Sequence, residues 1–527
     1  MKRVLLSFFL VAMLSARAQT IEVQGNQTGV WAADTIRVIG DVNVVDSLVI
    51  NSGTVVLFDG FYGITVFNGA SLLARGEAND SIVFTVADTT GFSVYNTGDG
   101  GWDGLHLQKA GRVMMEYCLL QYGKAADTLD SSGGAINIIQ SNDVEIKNTT
   151  FYCNFAREHG GAIHAVDSKV RFEGCAINYN KVYTKDNLFY MYGGGARFLK
   201  CDVVMTDMEF LHNDGEITIG GAMCMDSCSV TLDRAVFAYN HGLNGAGFYL
   251  LRCNDKECRL SNLLIHDNFS SHFGGGMAFA DASPEVYNVT VTRNVSDGVD
   301  CTGIFYYMES SPKLYNCIVS GNYLDTFTPV GDTIQQWIWT YNDYGPEFYN
   351  CLFENGLAQF TGAQYILAYK DVIDDDPRFV DPEHGNFRLM DDSPCRDAGY
   401  AQSPSWLLAS VDLDGLPRLA NGRIDIGPYE YSPAAVEEAY AYGHDAMLVG
   451  NPLGHFSKLI VQHNGTGDIV VRVVSLLGHS IVANTFGGRE TGRVELDLGD
   501  MVAGLARGPY LLEVITDEKT FTIKAIK

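Results

Sequence analysis

Polar and aromatic residues that could bind a ligand recur at one fixed place in the middle of the chain. Each lies two residues after a glycine-rich tripeptide: Asn137, His164, Arg197, Tyr249 and Phe305. Amide, imidazole and guanidinium groups form hydrogen bonds with hydroxyls or carboxylates, and aromatic rings offer an apolar face to a sugar ring. The pattern predicts either a carbohydrate-binding face or an ordinary hydrated surface. No lyase or hydrolase signature surrounds His164 or Arg197, so neither is assigned a catalytic role.

A second candidate is an aromatic segment near residue 340. Trp337, Trp339 and Tyr341 alternate along it, and acids at positions 325, 332 and 343 flank it. We interpret this segment as a long insertion between repeat units, which is where repeat proteins commonly carry function. Two interpretations remain open, namely a platform for a sugar and a flap whose aromatic side chains seal the side of the fold.

The acidic residues give weak support for hydrolysis or metal binding. Glycoside hydrolysis needs two carboxyl groups about 5 to 9.5 Å apart on a rigid frame, whereas Asp374, Asp375 and Asp376 are neighbours in sequence. Asp412 and Asp414 form Asp-x-Asp-Gly without the later glutamate of a calcium loop. We therefore assign no metal and no other cofactor, and calcium is left open without a residue to hold it.

Two sequence marks repeat in phase through the middle of the chain. The glycine-rich tripeptides end at Ala135, Ala162, Gly195, Ala222, Gly247, Gly276 and Gly303, with spacings of 27, 33, 27, 25, 29 and 27 residues. An asparagine follows each of them by 18 to 21 residues: Asn154, Asn180, Asn213, Asn240, Asn268, Asn294 and Asn322. A fixed period of this length is typical of a solenoid or another repeat architecture.

The residues between the marks predict the fold class. Short alternating stretches such as Val230-Thr231-Leu232 favour half-buried strands, and no unit holds a helix-length amphipathic pattern. Stacked turns of chain would pair each strand with its copies on either side, which predicts a parallel β-helix. We expect the asparagines and glycines to form tight corners, and stacked asparagines to bond side chain to side chain along the axis. The residues flanking the ligand-binding candidates should point inward.

The 12 cysteines do not favour a disulfide framework. Cys118, Cys175, Cys317 and Cys351 occupy one repeat position, so we expect small buried core residues in the reduced state. Cys253 and Cys258 bracket a short loop and form the pair for which a disulfide is considered, with two free thiols as the alternative.

Composition and the N-terminus set the expected location. The 527 residues carry 46% hydrophobic residues and a formal net charge of −27, which favours a folded chain and makes nucleic acid an improbable partner. Lys2 and Arg3 precede an apolar run, and small residues precede Gln19. This order predicts a signal peptide over residues 1–18 and a secreted protein.

The repeat marks also carry a family resemblance. Residues 19–372 resemble the right-handed parallel β-helix superfamily, which includes pectate-lyase-type and adhesin-type secreted proteins. The resemblance implies a right-handed coil, with extended polysaccharide lying along an outer face. Residues 373–431, through motifs such as Ser393-Pro394-Cys395-Arg396-Asp397 and Asp425-Ile426-Gly427-Pro428, resemble the choice-of-anchor-type module that closes many bacterial β-helices.

The end of the chain resembles another known module. After a linker at 432–446, residues 447–527 resemble the C-terminal sorting domain of the bacterial type IX secretion system, with marks at Asn451-Pro452, Leu496-Asp497-Leu498 and Gly508-Pro509-Tyr510. The strand pattern predicts a small β-sandwich of about seven strands. The resemblance implies transport by the secretion machinery, followed by release or attachment at the outer-membrane surface.

These observations predict an all-β chain, a right-handed parallel β-helix followed by a small β-sandwich. We expect a monomer that binds carbohydrate or another cell surface, without catalysis that the sequence can demonstrate. The alternative is a polysaccharide lyase or glycoside hydrolase acting along the outer face. An enzyme would release reaction products, and a binding protein would retain glycan without cleaving it. A structural spacer, the third possibility, would do neither.

Overall fold

The computed structural model describes residues 19–526. Gaps in that description fall at 79, 96, 127–130, 184–190, 298–300, 325–333, 342, 409, 420–421, 433–445, 450–457, 464–466, 476–479, 488–491, 499–500, 502–508 and 517–519. The predicted signal peptide (1–18), most of the predicted linker and the Asn451-Pro452 motif lie outside the described residues. The chain divides into one compact unit formed by residues up to Arg378 with Asp391–Glu430, and a second formed by Phe379–Met390 with Tyr431–Lys527.

The first unit is a coil with three strand-bearing faces per turn. Two long strands, Thr20–Trp31 and Thr35–Ile50, form its first turns and pair in parallel. The first face then continues with Ile64–Val66, Leu105–Gln108, Ile136–Ile139, Ile163–Val166, Ala196–Leu199, Met223–Asp226, Phe248–Leu251, Met277–Ala280, Ile304–Tyr307, Gln336–Trp339 and Phe360–Thr361.

The second and third faces share some long strands. The second face has Ser71–Arg75, Arg112–Glu116, Asp143–Lys147, Lys169–Glu173, Lys313–Tyr315, Glu347–Tyr349 and Ala368–Lys370. The third has Val55–Phe58, Ile82–Val86, Cys118–Gln121, Thr150–Tyr152, Ala176–Asn178, Ile318–Ser320 and Leu352–Phe353. Strands Asp202–Leu211, Ser229–Ala238, Cys258–His266 and Glu285–Thr292 run through both faces.

A further nine-stranded parallel sheet precedes the glycine tripeptides. Its strands are Lys124–Ala125, Phe155–Ala156, Lys181–Val182, Met191–Tyr192, Asp214–Ile219, His241–Asn244, Phe269–Phe273, Val295–Ser296 and Tyr323–Leu324. Short helices occur at Gly356–Gln359, Ala363–Tyr365, Pro382–His384 and Ser405–Leu408. Every described strand pair of the coil is parallel, so the prediction of a parallel β-helix is confirmed.

One continuous apolar core fills the coil. The residues predicted to point inward are fully buried, including Ile136, Met223 and Phe248 on one ladder and Phe198 and Phe279 on the next. Alternation along each strand produces this arrangement, because successive side chains point to opposite faces of a strand. The inward orientation predicted from sequence is therefore confirmed.

Left-handed residues form the corners of each turn. The first glycine of each tripeptide is one of them: Gly133, Gly160, Gly193, Gly220, Gly245 and Gly274 have φ between 57 and 77°. The second glycine meets a different constraint, since a Cβ added at Gly194 would lie 2.1 Å from the carbonyl oxygen of Gly221. Both observations confirm that the glycines occupy positions without room or conformational tolerance for a side chain.

Of the two roles expected of the asparagines, the left-handed corner is wrong. The left-handed residue is the one before each asparagine, such as Tyr179 (φ 58°) and Tyr239 (φ 58°), whereas Asn180 and Asn240 do not have positive φ. The side-chain bonding expected between stacked asparagines is confirmed, since they bond from turn to turn. Asn240 Oδ1 accepts from the backbone N–H of Asn213 at 3.0 Å and from its Nδ2 at 2.9 Å. Their buried amides thus satisfy backbone groups that would otherwise lack partners.

The cysteines are free thiols. Cys118, Cys175, Cys317 and Cys351 are buried on the core side of the third face, as predicted from their shared repeat position. Burial raises the pKa of Cys118 to about 12, which disfavours the reactive thiolate.

The considered disulfide between Cys253 and Cys258 is not formed in the structure. The sulfur of Cys258 lies 3.4 Å from the carbonyl oxygen of Cys228, and the backbone N–H of Cys228 donates to Cys253 Sγ at 3.4 Å. The three thiols therefore sit within the turn-to-turn bonding of the core.

Residues 391–430 pack against a second row of asparagines on the coil. Arg418 is fully buried there; its guanidinium donates to Asn262 Oδ1 at 3.1 Å and pairs with Glu430 at 2.8 Å. The backbone N–H of Tyr400 donates to Oδ1 of Asn316, another member of this row, at 2.6 Å. The segment is thus fixed to the coil through Asn262 and Asn316, and its own ion pair with Glu430 compensates the buried charge of Arg418.

The second unit contains antiparallel sheets. Phe379–Asp381 pairs with Asn386–Leu389. One sheet holds Ala446–Val449, Lys458–His463 and Gly492–Asp497, and the other holds Ser480–Phe486, Ile469–Ser475, Pro509–Ile515 and Thr520–Ile526. Leu459, Val471, Leu496 and Leu512 belong to its buried core. The described strands confirm the predicted small β-sandwich.

Candidate functional site

The ligand-binding candidates form one continuous ladder on the first face. Parallel register pairs Asn137 with His164, and His164 with Arg197. The ladder then continues through Cys224, Tyr249, Ala278, Phe305 and Trp337. The two candidates found in the sequence, the recurring polar residues and the aromatic segment, therefore meet on a single row of side chains.

The aromatic segment is not an insertion, so that interpretation is wrong. Gln336–Trp339 is a regular strand of the first face, with Trp337 beside Phe305 and Trp339 beside Tyr307. Gln335 supplies the amide that an asparagine supplies elsewhere, because its Oε1 accepts from Nδ2 of Asn322 at 2.9 Å. The tripeptide mark before this strand is absent from the sequence, which is why the repeat was not recognised.

Much of the ladder is covered, so the expectation of an open outward stripe is wrong for its middle. Arg197, Tyr249 and Phe305 are only 7%, 5% and 4% exposed. The chain folds back at the left-handed first glycine of each tripeptide. The residue directly before that glycine therefore covers the outward side chain that lies five positions after it in sequence. Tyr192 thus lies over Arg197, with its ring 4.5 Å from the guanidinium carbon. An apolar cluster fills the middle of the ladder: Ile219, Cys224, Tyr249, Ala278, Ala280, Cys301 and Phe305.

The C-terminal end of the ladder remains open and aromatic. We call Tyr307, Trp337, Trp339 and Tyr341 the aromatic surface. The rings of Trp337 and Trp339 stack at 5.8 Å with an interplanar angle of 14°, and Tyr307 lies 5.6 Å from Trp339. Trp339 is 47% and Tyr341 50% exposed. Large aromatic side chains held open to solvent on a rigid sheet favour contact with a ligand.

The N-terminal part of the ladder has a different chemistry. We call His159, His164, Tyr192 and Arg197 the basic pocket. The ring centroid of His159 lies 5.9 Å from that of His164 and 5.6 Å from that of Tyr192. The backbone N–H of Tyr192 donates to Nδ1 of His159 at 3.3 Å.

Burial, together with the nearby charge of Arg197, lowers the pKa of both His159 and His164 to about 3. At neutral pH the two imidazoles are therefore neutral, and Arg197 carries the positive charge of the pocket.

Sequence reasoning missed His159 and Tyr192 because they were not part of either mark. A usable signal exists, since each directly precedes the first glycine of a tripeptide, Gly160 or Gly193. Residues at that place in neighbouring repeats form the row that covers the ladder, as shown by the pairing of Ser132 with His159 and of His159 with Tyr192.

Another aromatic row was also missed. Tyr152, Tyr179, His212 and Tyr239 lie one above another near the asparagine ladder, with centroid distances of 5.5, 4.6 and 4.9 Å. Both faces of the His212 ring are occupied by stacked neighbours, although Tyr239 is 48% exposed. Because a sugar needs a free ring face, this row is a weaker binding candidate than the aromatic surface.

The acidic candidate Asp412 has a structural role. Asp412 Oδ1 accepts from the backbone N–H groups of Asp414 (2.9 Å) and Leu416 (2.7 Å), and its Oδ2 accepts from that of Glu430 (2.8 Å). The carboxylate therefore organises a turn in the segment that packs on the coil. Among the described residues there is no group of three or more histidines, cysteines or acids arranged to hold a metal ion.

Comparison with known proteins supports the fold and gives no specific activity. Residues 81–287 match the family model described as the right-handed β-helix region. The search of curated proteins returned no match to this chain. No helix in the part of the chain that the structure describes is long and apolar enough to cross a membrane. Together the stacked parallel strands and the family match define a right-handed parallel β-helix protein.

Proposed function

We propose that this protein binds carbohydrate at the aromatic surface, without cleaving it. The exposure of Trp339 and Tyr341 carries the proposal, since a tryptophan is usually well buried in a folded protein. The C–H face of a sugar ring can pack on such a side chain, and neighbouring hydroxyls can bond to polar groups nearby. Parallel strands fix the spacing of the rings, so little ordering is needed when a ligand binds.

The test is a binding screen of neutral and acidic glycans, followed by calorimetry with the best of them. Replacing Trp339 with alanine should weaken binding about tenfold, which corresponds to about 1.4 kcal/mol. Phe67→Ala is the matched control, because Phe67 is also exposed (41%) but lies far from this surface in sequence. Equal affinity of wild type and Trp339→Ala would refute the proposed site.

Product analysis in the same samples tests whether binding is accompanied by cleavage. A protein that only binds should release no new reducing ends and no unsaturated sugars. Appearance of either product would instead favour a glycoside hydrolase or a polysaccharide lyase on the same scaffold.

We also propose export and display at the cell surface. Lys2 and Arg3 followed by an apolar run support export, and the resemblance of residues 447–527 to a sorting domain supports use of the type IX machinery. In a host that has this machinery, the full chain should reach the surface or the medium. A chain shortened before residue 447 should remain inside the outer membrane, and surface display of the shortened chain would contradict the proposed role.

A further inference from the structure

The basic pocket contains an arginine without a polar partner. Arg197 is 7% exposed, yet it forms no hydrogen bond or ion pair with any described residue. Its Nε is sealed from solvent without an acceptor, and its guanidinium stacks on the ring of Tyr192. A buried guanidinium normally has its donors satisfied, because an unpaired buried charge is costly.

The rest of the chain shows that this arrangement is unusual. Arg252, whose side chain is 56% exposed, pairs with the buried carboxylate of Asp226. Arg234 pairs with both Asp207 and Asp233. The sequence holds 63 aspartates and glutamates, but none in the described part of the chain pairs with Arg197. Fully buried Arg418 has its partner in Glu430, whereas buried Arg197 has no negative partner among the described residues.

The neighbouring histidine, His164, also lacks a hydrogen-bond partner at this place. Nδ1 of His164 is also buried and has no hydrogen-bond partner. Since the imidazole is uncharged, one ring nitrogen can donate and the other can accept, according to the tautomer. Two independent polar groups on adjacent strands therefore lack partners at one place.

We propose that the basic pocket binds an oxyanion, namely a carboxylate, sulfate or phosphate group. Arg197 supplies a planar fork of N–H donors, which matches two oxygens of such a group. An imidazole N–H can donate a further hydrogen bond. The stacking on Tyr192 holds the guanidinium plane in place, so the fork is already oriented before a ligand arrives.

This site goes beyond the proposed carbohydrate-binding surface and does not depend on it. Five strand steps separate Arg197 from Trp337 along the ladder, or about 24 Å at the spacing of paired strands. A free oxyanion would occupy the basic pocket alone. An extended polysaccharide with acidic groups could reach both the basic pocket and the aromatic surface. Titration with each kind of ligand therefore distinguishes a free oxyanion from one carried on a sugar.

The experiment is calorimetric titration of the full-length protein with sodium sulfate, with a uronic acid oligosaccharide, and with its carboxyl-reduced neutral counterpart. Sodium chloride at equal ionic strength controls for screening. Arg197→Gln should weaken oxyanion binding at least tenfold, and Arg197→Lys should give a smaller loss because charge remains without the fork. Arg171→Gln is the matched control, since Arg171 is exposed on a neighbouring face.

The outcomes distinguish a free oxyanion from one carried on a sugar, and they test the basic pocket separately from the aromatic surface. Saturation by sulfate indicates a site for a free ion, whereas binding of the acidic oligosaccharide alone indicates a group carried on a sugar; either supports the site. Unchanged affinity in Arg197→Gln, or no oxyanion binding by the wild type, would overturn it. If Arg197→Gln fails to fold, Arg197→Lys decides. Trp339→Ala should leave sulfate binding intact, so a failed aromatic surface remains distinguishable.

Discussion

Mild acid should loosen the turns that carry the basic pocket. Burial and the charge of Arg197 lower the pKa of His164 to about 3, compared with an ordinary value of 6.5. Arg197 and His159 are the charged or titratable groups that oppose its protonation. Because the folded pKa is below the unfolded one, the unfolded state binds more protons between these values, and stability falls as the pH falls.

The size of the effect follows from the two pKa values. At pH 5 the unfolded histidine is almost fully protonated and the folded one is neutral, so lowering the pH from 7 to 5 should cost about 2 kcal/mol through His164 alone. Whole-chain unfolding of a solenoid need not be two-state. The suitable assay is therefore hydrogen exchange measured by mass spectrometry, which reports the local opening free energy of individual turns.

A variant isolates the histidine from all other titrating groups. His164→Gln should lose about 2 kcal/mol less than the wild type in strand Ile163–Val166 between pH 7 and pH 5, after correction for intrinsic exchange. The distant strand segment around Leu48 should respond equally in both proteins. Identical pH dependence of the Ile163–Val166 strand in wild type and variant would refute the reasoning, because it would mean that His164 titrates alike in the folded and unfolded chains.

Two further predictions concern stability. Asn240→Ala should destabilise its turn by at least about 3 kcal/mol, because it leaves several buried donors and acceptors without partners. The control is Asn51→Ala, at an exposed amide, which should change stability by less than about 0.5 kcal/mol. Hydrogen exchange measures both effects. Arg418→Met should cost about 3–5 kcal/mol, because Glu430, whose pKa burial already raises to about 7, would stay buried without its cation. Limited proteolysis should then cut within residues 391–430 faster than in the wild type, and adding Glu430→Gln should restore part of the resistance; equal cleavage rates would contradict the anchoring role.

The fold could be predicted because its constraints are local and repeated. A left-handed corner such as Gly193 and a position without space such as Gly194 each require glycine, so the geometry is recorded directly in the sequence. Alternation along Met223-Cys224-Met225 likewise records which side chains enter the core. Such signals need no knowledge of which distant residues meet.

The candidate site was harder to predict because it depends on contacts between repeats. Tyr192 covers Arg197 because the chain folds back sharply at the glycine turn. The spacing of the repeat marks gives no information about the angle of that turn. Left-handed corners were assigned to the asparagines because Asn tolerates that conformation, yet tyrosine and histidine adopt it at these corners, as in Tyr179 and His212. The bonding along the asparagine row over-determines the backbone there and makes residue type less decisive.

The asparagine row has a bearing on how such a chain can change in length. Each amide bonds to its counterparts one turn before and one turn after, and Gln335 continues the series beyond Asn322. Internal duplication or deletion of a complete period would therefore reconnect every amide to an equivalent neighbour, whereas a partial period would break the series and shift the hydrophobic phase. This architecture thus tolerates the gain or loss of complete repeat units. Each unit gained or lost between the basic pocket and the aromatic surface would change the distance between them by one strand spacing.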